Sequence, residues 1–265
     1  MLTYKKMCIV IPCYNESMRL PVNEFITFSK NNSDILICFV NDGSKDSTNK
    51  SLEKIKERFE ENVHIVSYLK NVGKAEAVRR GMHHCSDNLN YDNIAYLDAD
   101  LSTSLTECVE LSKYLNDEIN FCFGSRIMKV GSLIERSYKK FLIGRIIATV
   151  ISNTLDIKVY DTQCGCKVMK KELSEKLFEE PFISRWLFDV ELFARMVQIY
   201  GRPDFLSKMI EIPLLKWIDK DQSKIKLTYA FRVWFDLYNI KRKYKKVLGK
   251  TSQNSRFITN QNYTS

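Results

Sequence analysis

Residues 93–102, NIAYLDADLS, decide the fold, because a short apolar run ends there in two carboxylates. The run is typical of a buried strand, and Asp98 and Asp100 follow it one residue apart. Acids at the carboxyl end of a parallel strand lie where open α/β sheets bind ligands. Two neighbouring carboxylates repel each other unless a cation separates them, and oxygen ligands favour Mg²⁺ or Mn²⁺. A solvated turn or a helix N-cap is the alternative interpretation.

The preceding segments repeat the arrangement of an apolar strand, a polar turn and a helix. Strands are predicted over residues 7–12, 35–40, 63–69 and 94–97, and helices to about residue 30, from about 46 to 61 and from 75 to 84. Such alternation predicts a parallel sheet with helical crossovers, and therefore an α/β fold. Right-handed crossovers bring the strand ends to one edge, so Asn15, Asp42 and Lys74 should share a crevice with the two aspartates.

The pattern changes after a fifth predicted strand at residues 119–123. Residues 133–155 combine apolar residues and cations, which indicates either a pair of core helices or an amphipathic helix on a membrane surface. Further predictions are a polar turn at 161–167, an apolar helix at 186–200, a strand at 209–215 and a basic helix at 225–247. We predict one domain over residues 1–250, with a nucleotide-binding part to about 126 and an acceptor-binding part after it, and a disordered polar tail over 251–265.

Composition and charge narrow the class of protein. No apolar run reaches the roughly 20 residues that span a bilayer, and the N-terminus lacks signal-peptide regions, so we expect a cytoplasmic location. The net charge is +9, and residues 216–250 hold eleven Lys or Arg against three Asp. Such a block meets phosphates, an anionic membrane or nucleic acid, or is a solvated helix face. The eight cysteines are scattered through apolar runs, as is typical of buried thiols rather than disulfides or a zinc site.

The predicted strand ends together suit a nucleoside diphosphate. Asp42 can accept hydrogen bonds from a base edge or a ribose, and Gly73 permits close backbone approach. Lys74, at a helix start, can reach phosphate, and the aspartate pair can hold a bridging cation. Neither a G-x-G-x-x-G sequence nor a Walker A pattern occurs, so a dinucleotide site and a P-loop are excluded. Without a glycine-rich cradle, a cation must neutralise more of the phosphate charge.

These motifs resemble a known family. Five of them occur in order: IPCYNE (11–16), VNDGSKDST (40–48), NVGKAEAVRRGM (71–82), LDADLS (97–102) and GSR (124–126). Together they resemble the GT-A glycosyltransferases of family 2. The later segments DTQCGCK (161–167) and RWLFDVEL (185–192), with the KW…SKI pattern after residue 216, resemble one branch, the dolichyl- or polyprenyl-phosphate hexosyltransferases of β-glucosyl and mannosyl type. The resemblance covers residues 7 to 230.

The resemblance implies an inverting, metal-dependent transfer of a hexose from a nucleotide sugar, UDP-glucose being favoured, to a polyprenyl or dolichyl phosphate. The implied cofactor is Mg²⁺ or Mn²⁺, held by Asp100, Asp98 and Ser102, although several relatives carry Gln where Ser102 stands. The implied nucleotide-sugar residues are Pro12, Tyr14, Glu16, Asp42, Gly73, Lys74, Asp98, Gln163, Ser223 and Lys224. The implied catalytic residues are Asp100, Arg126 and Arg136, with Arg136 as the cation for the lipid phosphate. Acceptor chemistry, rather than the resemblance, adds Asp189 and Glu191 as catalytic candidates.

Two alternatives stay open at the level of sequence. A sugar-hydroxyl acceptor, in a polysaccharide or glycolipid, would need a general base, for which Asp189 and Glu191 are the candidates. They lie two apart on a predicted helix, so one at most should reach the crevice; an ion pair with Arg185 or Arg195 is the structural interpretation.

Many relatives carry transmembrane helices that are not found here, and the cations at 136–145 and 216–250 favour peripheral attachment to the cytoplasmic face of a membrane. A nucleic-acid partner is disfavoured, because the basic block lacks interleaved stacking aromatics.

Overall fold

The computed structural model describes residues 5–220 and 229–248, with backbone alone for residues 139, 140 and 229–231. Within these ranges the strands are β1 Met7–Cys13, β2 Ile35–Asp42, β3 Val63–Tyr68, β4 Asn93–Leu97, β5 Phe121–Ser125, β6 Leu133–Glu135, β7 Cys166–Lys170, β8 Met209–Pro213 and β9 Lys216–Ile218. The α-helices there are α1 Val22–Asn31, α2 Thr48–Lys56, α3 Lys74–Asn88, α4 Leu105–Ser112, α5 Tyr138–Leu155, α6 Lys171–Phe178, α7 Phe188–Tyr200, α8 Tyr229–Lys243 and α9 Lys245–Leu248.

The main sheet has the strand order β3-β2-β1-β4-β7-β5-β8. The pairs β1–β2, β2–β3, β1–β4 and β5–β8 are parallel, whereas β7 runs antiparallel to β4 and β5. A separate pair joins β6 to β9 in parallel. The predicted α/β fold, a mostly parallel sheet flanked by helices, is therefore confirmed.

Both faces of the sheet are covered, which explains why its strands are continuous apolar runs rather than alternating ones. Along β1, Cys8 and Val10 belong to one core cluster and Ile9 and Ile11 to the other, and all four are fully buried. Helices α1, α2 and α4 cover the second cluster, and α3 with the helices from α5 onward covers the first. The eight cysteines are free and buried, as expected.

Four sequence-based expectations differ from the structure. Residues 133–155 form β6 and the single helix α5 rather than two helices, because the first three residues pair with β9. The predicted turn at 161–167 runs into β7, whose fully buried Lys167 hides the apolar pattern of a strand. Helix α2 ends at Lys56, where a Phe59 N–H to Lys56 carbonyl bond (2.9 Å) turns the chain toward β3. Helices α4 and α6 had not been expected.

The predicted basic helix at 225–247 is divided by a turn at Tyr244 into α8 and α9, and residues 225–228 lie outside the described ranges, as does the polar tail. Within those ranges, no helix has the length and apolar character needed to cross a membrane.

Candidate active site

The topology brings five loops to one edge of the main sheet, which we call the carboxyl edge. Strands β2, β1 and β4 are parallel neighbours, so the loops after them meet there. Strand β7 runs the opposite way, and Cys166 at its start pairs with Leu97 at the end of β4. The loop before β7 therefore joins the same edge, together with the residues that follow β5.

Asp98 and Lys74 form an ion pair at this edge. The Lys74 ammonium lies 2.5 Å from Asp98 Oδ1, and the Asp98 side chain keeps 39% of its surface exposed. Burial by itself lowers the pKa of Lys74, but the carboxylates of Asp98, Asp189 and Asp100 outweigh burial and raise that pKa above the ordinary lysine value. Lys74 is therefore a cation paired with Asp98, and the charges of two further acids favour its protonated form.

Gly165 makes room for the Asp98 carboxylate. The Asp98 N–H donates to the Gly165 carbonyl at 3.2 Å. A Cβ atom on residue 165 would lie 2.0 Å from Asp98 Oδ2, closer than any non-bonded contact allows. The sequence interpretation named Gln163 in this loop but missed Gly165, whose role depends on a contact with a residue 67 positions away.

Asp100 lies on a strained turn that leaves its carboxylate partly exposed. Its Oδ1 accepts the Ser102 N–H at 3.0 Å, and the Asp98 carbonyl accepts the Leu101 N–H at 3.1 Å. Leu101 has a φ of +51°, in the left-handed region that branched side chains rarely adopt. The Ser102 carbonyl accepts the Ile218 N–H of β9 at 3.2 Å, which anchors the turn. Among the described residues, no three His, Cys, Asp or Glu side chains already converge as a metal cage.

Asp42 holds the loop that leads to Lys74. Its carboxylate accepts the N–H groups of Val72 and Gly73, each at 2.9 Å, and the side-chain amide of Asn71 at 2.8 Å. Burial raises the pKa of Asp42, although these hydrogen bonds act in the opposite direction. The structure thus places Asp42 and Gly73 together, with the carboxylate directed to the loop backbone.

The loop after β1 is tied to the loop after β2. The Asn15 N–H donates to Ser44 Oγ at 3.0 Å, and the Glu16 N–H donates to Thr48 Oγ1 at 2.7 Å. Glu16 is buried and pairs with Arg19, while Pro12, in β1, and Tyr14, in the loop after it, are half-buried. These predicted nucleoside residues therefore lie on neighbouring strand ends.

Arg126 and Asp161 form a buried bidentate pair next to this acid cluster. Arg126 Nε and Nη2 donate to the two Asp161 oxygens at 2.6 and 2.8 Å. Burial by itself raises the pKa of Asp161, but Arg126 outweighs it and lowers that pKa to about 2. Gln163 joins the pair, since its N–H donates to Asp161 at 3.2 Å. Asp161, which the sequence interpretation treated only as part of a turn, fixes the orientation of Arg126.

Arg136 brings a second guanidinium to the same place. Burial and the nearby positive charge of Arg126 lower the pKa of Arg136. Its Nη2 lies 2.2 Å from where a Cβ atom on Gly144 would be, so the glycine allows the guanidinium to rest on α5. Arg136 therefore connects the carboxyl edge to α5.

Asp189 and Glu191 point into different surroundings. Asp189 Oδ1 accepts the Lys167 ammonium at 2.6 Å and the Tyr96 hydroxyl, and Asp189 is one of the acids near Lys74. Glu191, fully buried, accepts from Arg195 at 3.1 Å and from the Tyr244 hydroxyl at 2.9 Å, away from these groups. The predicted residues Ser223 and Lys224 lie outside the described ranges.

Known proteins with related sequences support one class of enzyme. The sequence profile of glycosyl transferase family 2 matches residues 8–178. The human dolichyl-phosphate β-glucosyltransferase is 28% identical over 256 residues, covering 87% of this chain and 78% of the relative. The Trichomonas vaginalis enzyme of the same name is 31% identical over 247 residues, covering 87% and 71%. The corresponding Saccharomyces cerevisiae enzyme is 30% identical over 244 residues, covering 83% and 69%.

Solved structures support the fold. Glucosyl-3-phosphoglycerate synthase from Mycobacterium tuberculosis, in complex with Mn²⁺, UDP-glucose and phosphoglyceric acid, superimposes with a TM-score of 0.63 at 15% identity, covering 92% of this chain and 80% of that one. The UDP complex of the same synthase gives a TM-score of 0.62 at 16% identity, with the same coverage. At such identities the likeness shows the GT-A fold alone. Because the profile spans well over half of the chain, this protein belongs to glycosyl transferase family 2 and is a glycosyltransferase.

Proposed function

We propose that this glycosyltransferase moves glucose from UDP-glucose to a dolichyl or other polyprenyl phosphate, with inversion at the anomeric carbon. The names of the relatives support the sugar and the acceptor. The observation that carries the proposal is the meeting of the acids Asp98 and Asp100 with the cations Lys74, Arg126 and Arg136 at one edge of the sheet. An acid pair suits a cation-bridged diphosphate, and the guanidinium of Arg136 suits a phosphate acceptor.

The acids suit Mg²⁺ or Mn²⁺. Asp98 and Asp100 offer only oxygen ligands, share one loop and are both partly exposed, and Ser102 adds a hydroxyl. The solved synthase with Mn²⁺ and UDP-glucose shows that a protein of this fold uses such an ion. When bound, the ion would neutralise the charge that develops on the leaving diphosphate.

Cationic side chains of the protein would stabilise the remaining negative charge of the diphosphate and of the acceptor phosphate. Lys74, next to Asp98, would stabilise the departing diphosphate together with Arg126. Arg136 would bind the acceptor phosphate, and Asp42 and the β1 loop would hold the nucleoside. A phosphate is already a nucleophilic anion, so it needs positioning more than a general base.

The second candidate is a sugar-hydroxyl acceptor, which would need Asp189 or Glu191 as its base. Both carboxylates are at most 4% exposed, and each is paired with a buried cation. The bonds occupy both Glu191 oxygens and Asp189 Oδ1, which supports the phosphate acceptor. The division into a nucleotide-binding and an acceptor-binding part, and a cytoplasmic location, stay predictions.

The proposal is tested by measuring transfer to dolichyl phosphate in detergent, with a panel of UDP-glucose, UDP-N-acetylglucosamine and GDP-mannose in the presence of Mn²⁺. We expect turnover with UDP-glucose, loss of turnover with EDTA and recovery when Mn²⁺ is restored. The β-linkage of the product, read by nuclear magnetic resonance, reports inversion of the α-linked donor. Faster turnover with GDP-mannose, or transfer to a sugar hydroxyl and not to the phosphate, would contradict it.

A further inference from the structure

The outward face of α8 carries an exposed aromatic cluster. Trp234, Phe235 and Tyr238 are 60%, 66% and 61% exposed. Spacings of three and four residues place them on one side of the helix. Val233 and Leu237 of the same helix are buried in the core. The helix is therefore already packed on its inner side, and the aromatic cluster is additional apolar surface.

Helix α5, which packs against α8, carries a second apolar stripe. Tyr138, Leu142 and Ile146 are exposed and recur every four residues, and Ile143 lies beside them. Spacing by four residues keeps such side chains on one helix face. We call the exposed apolar residues of these two packed helices the α5/α8 patch. Apolar surface that is clustered rather than scattered marks an interaction site.

Positive charge borders the patch. Lys241 follows Trp234 by two helical turns, and Arg242 follows Tyr238 by one, so both lie on the outward face of α8. Both are exposed, as are Lys245 and Lys246 of α9. Asp236, the acidic residue of α8, accepts a hydrogen bond from the Ser184 hydroxyl at 2.5 Å. The patch thus combines an aromatic and aliphatic area with a basic rim.

This combination identifies its occupant. Trp and Tyr prefer the boundary between headgroups and acyl chains, and Lys and Arg attract anionic headgroups. Protein interfaces, by contrast, are depleted in lysine. We propose that the α5/α8 patch docks on an anionic bilayer surface.

Helix α5 also connects the patch to the active site, since the Arg136 guanidinium rests on Gly144, on the side of α5 opposite Leu142 and Ile146. A lipid whose chain stays in the bilayer would present its phosphate next to α5. This delivery step rests on the proposed lipid-phosphate acceptor, whereas docking itself does not.

Vesicle co-sedimentation of the full chain tests the docking. The probes are phosphatidylcholine vesicles with and without phosphatidylglycerol. We expect the wild type to bind the anionic vesicles and salt to weaken this binding. A Trp234→Ser, Phe235→Ser, Tyr238→Ser variant should bind about tenfold or more weakly, because the apolar area that enters the interface is lost. A Lys241→Glu, Arg242→Glu variant should lose about tenfold on anionic vesicles and little on neutral ones.

Matched controls are Leu206→Ser, an exposed leucine of the short 3-10 helix before β8, and Lys50→Glu with Lys54→Glu on α2. They should keep wild-type binding. Equal thermal midpoints and equal UDP-glucose binding in all variants would show that fold and donor site are intact. This separates a failure of docking from a failure of the proposed function.

Absence of vesicle binding by the wild type, or equal binding by the patch and control variants, would overturn the proposal. So would a lipid-free oligomer that the aromatic variant converts to a monomer, because the patch would then be a protein interface. With vesicle-borne dolichyl phosphate, the aromatic variant should lose about tenfold in turnover, while a short water-soluble phosphate acceptor should be used at the wild-type rate.

Discussion

Two carboxylates on α7, two residues apart, serve opposite sides of the molecule. Asp189 contacts Tyr96 of β4 and Lys167 of β7, the strands that carry the loops of the carboxyl edge. Glu191 contacts Arg195 and Tyr244, and so connects α7 to the last helices. Residue type and burial are nearly the same at the two positions, and the difference comes from the helix, which turns about 200° between them. Burial of an acid on this helix therefore does not indicate a catalytic role. The residues that the acid contacts do.

Asp189 and Glu191 should both affect the free energy of unfolding, but only one of them should also affect the rate of sugar transfer. A buried charge whose partner is removed is costly, so either acid stabilises the fold. Of the two, Asp189 is the acid whose charge acts on Lys74, which in turn pairs with Asp98. Changes at Asp189 should therefore reach the rate of transfer, whereas changes at Glu191 should remain in the free energy of unfolding.

The largest expected effect is on Asp100, whose removal should affect transfer and leave the fold intact. Asp100→Ala should lower kcat/KM by about a thousandfold, because the charge that balances the diphosphate's cation is lost. The free energy of unfolding, measured in urea, should change by less than about 0.5 kcal/mol, because the side chain is partly exposed. Activity within a few-fold of the wild type would contradict the proposed role of Asp100 in binding a metal ion.

The second expectation compares Asp189→Asn with Glu191→Gln. Each should lower the free energy of unfolding by about 3–5 kcal/mol, because Lys167 or Arg195 keeps a buried charge without its anion. Asp189→Asn should in addition lower kcat about tenfold through Lys74, and Glu191→Gln should leave kcat within about twofold. If Glu191→Gln lost as much activity as Asp189→Asn, the separation would be wrong.

A loss of more than about a thousandfold in Asp189→Asn alone would indicate a general base and therefore a hydroxyl acceptor.

The double variant Lys167→Met, Asp189→Leu isolates the positioning effect. Removing both charges should return the free energy of unfolding to within about 1–2 kcal/mol of the wild type, since a buried pair is often replaceable by apolar residues. The value of kcat should stay about tenfold below that of the wild type, because the Asp189 charge that acts on Lys74 is absent. Recovery of both stability and rate would show that the pair has a structural role alone.

The smallest expected effect concerns acid stability. Because Asp161 has a folded pKa of about 2 instead of 3.8, its stabilising contribution is present above pH 3.8 and is lost as pH falls through 2. The shift corresponds to about 2 kcal/mol. In urea unfolding at several acidic pH values, the free energy of unfolding should fall less steeply with decreasing pH for Asp161→Asn than for the wild type. Equal slopes would show that Asp161 is not paired in solution.

Much of the fold could be predicted, because its strands are buried on both faces and are therefore unbroken apolar runs. The exceptions have physical causes. Strand β7 holds Lys167 in its core, which an apolar pattern cannot reveal. Helix α4 is capped by Ser104, whose hydroxyl accepts the Glu107 N–H at 3.1 Å, so a Ser-x-x-Glu capping signal precedes the helix in the sequence. In α6, Leu173 and Leu177 offered a helical spacing of four.

The candidate site divides in the same way. The meeting of three residues could be predicted from their places in the sequence. Asp42 ends β2, Asp98 follows β4 and Lys74 begins the helix after β3. The topology alone brings these points to one edge of the sheet. Gly165, Asp161 and Lys167 could not, because their roles depend on contacts with Asp98, Arg126 and Asp189, far away in sequence.

We propose that Asp100 and a divalent cation together hold the sugar nucleotide at the carboxyl edge. It is tested most directly by the thermal midpoint of unfolding with UDP-glucose, Mn²⁺, both or neither, for the wild type and Asp100→Ala. A ligand that binds only the folded state raises the midpoint. We predict a rise in the wild type that needs UDP-glucose and Mn²⁺ together and is absent in Asp100→Ala. An equal rise in both proteins, or one that persists in EDTA, would contradict the account.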